Sequence, residues 1–107
     1  MVNPLRGEAV LVIDGEERVL KLTLGALAEL EASLPSGGLL DLIARFEAGQ
    51  FSARDVLAII LAGLHGGGHP LRAANLLTAE IAGGATEAAR VAGLLLARAF
   101  GTGEAPG

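Results

Sequence analysis

Two histidines separated by three glycines, His65-Gly66-Gly67-Gly68-His69, form the segment of this 107-residue sequence that most invites a chemical reading. A zinc site on a helix needs both imidazoles on one face at i and i+4, plus a third ligand. Three consecutive glycines break the helix that would hold them there, and no Glu stands between them as a hydrolytic base. An oxyanion loop is the other candidate, but esterases combine that loop with a Gly-x-Ser-x-Gly nucleophile elbow. The serines are Ser33, Ser36 and Ser52, and none has that setting. The expected role of the segment is to cap one helix at its C-terminus and lead into the next. An enzyme reading would rest on His65 and His69 alone.

The remaining polar residues assemble no other chemistry. Lys21, the single Lys, lies in an expected strand, so there is no phosphate loop of the Gly-x-x-x-x-Gly-Lys kind. No Gly-x-Gly-x-x-Gly joins a strand to a helix. Glu29 and Glu31 are two apart on a helix and point in different directions. Asp55 is expected to be used in capping, and Arg45 and Arg54 to be solvated. Cys is absent, which excludes disulfides, Cys-based zinc, iron–sulfur clusters and thiol nucleophiles. The sequence therefore assigns no catalytic residue, no cofactor and no metal. A net charge of −4, with no Trp, no Tyr and three Phe, argues against a nucleic-acid partner. The longest apolar stretch, Val56 to Leu64, is far short of the roughly 20 residues that span a bilayer, so no membrane partner is expected. Met1 to Arg6 lacks the pattern of a signal peptide, and a cytoplasmic or particle-associated location is expected. Seven of the eight basic residues are Arg and Gly is abundant, a bias that lowers the value of any Gly cluster as a motif.

The elements that must carry these residues begin with strands. Glu8 to Ile13 and Arg18 to Thr23 flank Asp14-Gly15, a strong hairpin signal, and Glu16 and Glu17 could lengthen the turn. From Thr23 the apolar period changes to about 3.6. Thr23 or Gly25 can cap a helix carrying Leu24, Leu27, Leu30 and Leu34, which Pro35-Ser36-Gly37-Gly38 ends. A second helix is expected from Leu39 to Ala48, with Gly49 closing it. Ser52-Ala53-Arg54-Asp55 has the form of a capping box and opens a third, apolar on nearly every side through Leu64 and hence central. A fourth is expected over Leu71 to Ile81, and a last one from Thr86 to Phe100.

The expected fold class is α+β: an N-terminal β-hairpin packed on a bundle of four to five short α-helices. One domain covers residues 1–100, with a disordered tail at 101–107. Leu27, Leu30, Ile43, Phe46, Leu57, Ile60, Leu61 and Leu95 are expected in the core. A helix-turn-helix regulator is an alternative built on the third and fourth helices, but its recognition helix would offer only Arg72 and Asn75. With no catalytic set, an interaction or assembly role is the default. Leu94, Leu96 and Phe100 on the last helix are the expected partner-binding residues, and the hairpin edge comes next.

Arg6-Gly7-Glu8, the hairpin around Asp14-Gly15, and the stretch Leu22-Thr23-Leu24-Gly25-Ala26-Leu27-Ala28-Glu29-Leu30-Glu31 resemble the start of a small protein encoded in gene transfer agent clusters. Those clusters specify phage-derived particles of alphaproteobacteria. Ser52-Ala53-Arg54-Asp55 and the segment from Ala62 to His69 are also similar, so the resemblance spans about residues 6–100. It implies a tail-module protein: a tail assembly chaperone that binds the tape measure protein, or else a structural, tail-tube-associated component of the particle. The implied partners are the tape measure or tail-tube protein, and a homo-oligomer is compatible with both roles. The resemblance supplies no catalytic residues.

Overall fold

Asp14 and Gly15 both have positive φ, 51° and 81°, as a two-residue type I′ hairpin turn requires. The computed structural model describes residues 7–35 and 37–101. In it β1 (Glu8–Ile13) pairs antiparallel with β2 (Glu16–Lys21), and Ile13 faces Glu16. The turn therefore stays at two residues; Glu16 and Glu17 belong to β2 and do not lengthen it. Strand alternation sends Ala9, Leu11 and Ile13 inward with Leu20, all buried.

Five helices follow: α1 (Leu24–Ala32), α2 (Gly38–Glu47), α3 (Ala53–Gly66), α4 (Ala73–Leu77) and α5 (Gly84–Phe100). The α+β class is as expected. Thr23 caps α1, its hydroxyl accepting from Ala26 N at 3.1 Å. Ser52 and Asp55 form the expected capping box at α3: Asp55 N donates to Ser52 Oγ at 3.1 Å, and Ser52 N to Asp55 Oδ2 at 3.0 Å. α3 is central, touching β2, α1, α4 and α5, with Ile59, Ile60 and Leu64 buried. Of the expected core, Leu30, Ile60 and Leu95 are buried, while Leu27, Ile43, Phe46, Leu57 and Leu61 are partly buried against it. Leu11, Leu20, Leu42 and Val91 are fully buried in the same core.

The fourth helix differs most from expectation. It closes after five residues, and the chain beyond it runs along β1 instead. Asp14 N donates to the Glu80 carbonyl at 2.8 Å, Ala82 N donates to the Val12 carbonyl at 3.1 Å, and Ile81 bridges Ile13. Asp14 Oδ1 accepts from Glu80 N at 2.9 Å. These bonds satisfy backbone groups that a longer α4 would have paired within itself. α5 then starts at Gly84, two residues earlier than expected, after left-handed Gly83. Of the tail expected at 101–107, Gly101 caps α5, and 102–107 lie outside the described residues, as do Met1 to Arg6 and Ser36.

Candidate functional site

The Gly-rich segment turns out to be packing surface. A Cβ on Gly66 would lie 1.9 Å from the Lys21 carbonyl oxygen, and one on Gly67 would lie 2.1 Å from that of Val19. Gly63, one turn earlier, lies against Leu20 and Leu95. Three glycines on one side of α3 thus let β2 settle directly on the helix backbone. The expected helix end is also present: Gly67 N donates to the Gly63 carbonyl and His69 N to that of Leu64, and Gly68 has φ 89°.

The two histidines line one shallow cleft with Glu29, Leu71 and Arg72, but each is bonded to different partners. On α3, His65 turns Nδ1 toward Glu29 of α1 at 2.7 Å and Nε2 toward the Leu71 carbonyl at 2.6 Å. With an acceptor at each ring nitrogen, both must donate, which the imidazolium alone can do. The Leu71 carbonyl, then the Glu29 carboxylate, hold the His65 pKa above its ordinary value against the opposing cost of burial. His69 Nδ1 instead accepts from Arg18 Nη1 at 3.3 Å. Among the described residues no group of three or more His, Cys, Asp or Glu could hold a metal.

Asp55 does more than cap. Arg45 of α2 grips it with two bonds, Nε to Oδ2 at 3.0 Å and Nη2 to Oδ1 at 2.8 Å, and also reaches Asp41. That guanidinium, followed by the Ser52 amide, holds the Asp55 carboxyl below the usual carboxylate range. Arg45 is therefore a joint between α2 and α3, whereas the sequence reading left it in solvent. Asn75 is used locally, its Oδ1 accepting from the Arg72 backbone amide at 2.9 Å, and Arg72 itself is exposed. A five-residue α4 leaves the helix-turn-helix alternative without a recognition helix.

The expected partner surface on α5 does not stand as drawn. Leu96 is only 3% exposed, because α5 packs on α3 and on β1 at once and so buries two flanks. Leu94 is half-buried, and Phe100 is 39% exposed. The hairpin edges are covered as well, β2 by Gly66 and Gly67, and β1 by Ala82 and by Arg98, whose Nη1 donates to the Glu8 carbonyl at 2.6 Å.

An open apolar groove of about 1090 Å³ lies elsewhere, between the start of α3, α4 and the first half of α5. Val56, Leu57 and Ile60 line it from α3, Leu76 and Leu77 from α4, and Ala85, Ala88 and Ala89 from α5. Phe51 also lines it, stacked on Phe46 with ring centroids 4.3 Å apart. Arg54 is the one charged residue in its lining. Sequence reading missed this groove because it depends on α4 stopping early, which opens a gap beside α5. The signal available was the spacing of Ala85, Ala88 and Ala89, the small residues that line the groove from α5. No helix among the described residues is long and apolar enough to cross a membrane.

The molecule is thus of the class of small α+β domains, with two internal polar joints and one open apolar groove. Residues 6–102 match the family model described as "Phage tail tube protein, GTA-gp10", and the chain belongs to that family, a component of the phage tail module of a gene transfer agent. No curated protein and no solved structure matches it.

Proposed function

We propose that the protein is a non-enzymatic, structural component associated with the tail tube of a gene transfer agent particle. The observation that carries this reading is the family match, which spans residues 6–102 and concerns a tail tube protein. The internal use of His65, His69, Arg45 and Asp55 agrees with a role in assembly. Its partners are other tail proteins, the tail-tube subunits and the tape measure protein among them, met through apolar surface. Mass spectrometry of purified particles tests the proposal. The protein should be found there in fixed proportion to the other tail proteins. Absence or strong depletion, together with copurification with the tape measure protein from lysates, would replace it with an assembly chaperone.

A further inference from the structure

The groove has a complement on the same chain. Leu40, Ala44 and Glu47 lie at i, i+4 and i+7 on the outer face of α2, all exposed, with Leu40 at 82%. An apolar knob is thus followed, about 10 Å along the helix, by a carboxylate. α1 carries the same pattern in Leu24, Ala28 and Glu31, but Glu31 is already engaged by the Leu39 amide and lies against Gly38. Glu47 makes no ion pair among the described residues, and neither does Arg54 in the groove. A large exposed leucine beside an unpaired carboxylate therefore faces, chemically, an apolar trough beside an unpaired guanidinium.

We propose that the groove of one copy receives the α2 ridge of a second copy, Leu40 entering beside Leu77 and Glu47 meeting Arg54. The alanines of α5 give the groove a low wall that a helix can approach closely. Desolvation of Leu40 and Leu77 supplies the attraction, and the ion pair sets the register, since an exposed pair adds little affinity. Two reciprocal contacts would close a two-fold dimer; the single ridge-in-groove contact proposed here is head-to-tail, and each copy keeps one of each for a further neighbour. Such a contact builds a ring or a filament, and it is weak for each pair. It holds whether or not the protein remains in the finished particle, so particle content and self-association are separate readouts.

Sedimentation velocity over a concentration series tests it. The wild-type chain should sediment faster as concentration rises. Leu40→Asp and Leu77→Asp, at positions 82% and 70% exposed, should keep the circular dichroism of the wild type. Each should weaken self-association about tenfold or more. Mixing the two variants should restore a single contact, the intact groove of L40D with the intact ridge of L77D, giving a 1:1 heterodimer that grows no further. Arg54→Glu should weaken association, and adding Glu47→Arg to it should recover it. A chain that stays monomeric at every concentration, association indifferent to L40D, or no heterodimer on mixing would each overturn the proposal. So would a tape measure or tail-tube segment that fills the groove of a wild-type chain that does not self-associate.

Discussion

Gly66 and Lys21 are in contact through backbone alone: the Gly66 Cα lies so close to the Lys21 carbonyl that no side chain fits between α3 and β2. Neither strand nor helix can yield there, because the strand is paired with β1 and the helix sits at the centre of the core. Gly66→Ala should gain about 1 kcal/mol in helix propensity yet lose about 3 kcal/mol or more to the clash. Gly93→Ala is the control, since a Cβ there meets nothing closer than Phe46 Cδ2 at 3.9 Å. It should leave stability unchanged or raise it by up to about 1 kcal/mol. Urea unfolding of the two variants checks both, and equal effects would remove the close approach as the explanation.

Acid should unfold the protein partly through Asp55. Its pKa is depressed in the folded state by Arg45 and the Ser52 amide, so the stability it contributes is present above the unfolded value of about 4. That contribution is lost as pH falls through the lower folded value. The melting temperature of the wild type should therefore drop below about pH 4, and Asp55→Asn should be less stable at neutral pH with a shallower acid limb. Arg45→Gln should flatten the same limb while leaving the Ser52 cap in place. Parallel limbs in all three proteins would show that other carboxylates dominate.

How far the sequence could be read depended on the range of the interactions. The hairpin was legible because Asp14-Gly15 and the alternation from Ala9 to Ile13 are local signals, and the start of α3 was legible because Ser52 and Asp55 satisfy each other. α4 was not, because its early end is decided by Val12 and Asp14, more than sixty residues away in the chain. Leu71 to Ile81 has enough apolar residues for a helix, and pairing to the β1 edge overrides that pattern. Gly63, Gly66 and Gly67 were hidden by the general abundance of glycine, although their spacing places them on one face. Leu96 was misjudged for a different reason. Periodicity marks the face turned to one neighbour, and α5 has two.

Burial also re-ranks the central helix. Leu64 is fully buried and Leu61 is partly so, although both lie on α3 and both belong to an apolar run. Leu64→Ala should cost about 2–5 kcal/mol, the range for a leucine whose cavity cannot fully collapse. Leu61→Ala should cost under about 2 kcal/mol, since solvent already reaches part of the side chain. Guanidinium unfolding of the two variants gives the comparison, and a larger loss at Leu61 would contradict the packing described.

His65 should make the protein less stable on the alkaline side of neutrality. Its folded pKa is raised, first by the Leu71 carbonyl and then by Glu29, so the imidazolium joins α1, α3 and the chain leading to α4. The stability from that joint is fully present below the unfolded pKa of about 6.5 and disappears as pH rises through the higher folded value. Deprotonation leaves one ring nitrogen facing an acceptor with no proton to give. The His65 ring should titrate above about 6.5 by NMR, and stability measured from pH 6 to 9 should fall across that window. Glu29→Gln should lower the His65 midpoint only in part, because the Leu71 carbonyl remains. His65→Gln should remove the dependence from this window. A His65 midpoint at or below about 6.5 would show that the cost of burial outweighs both acceptors.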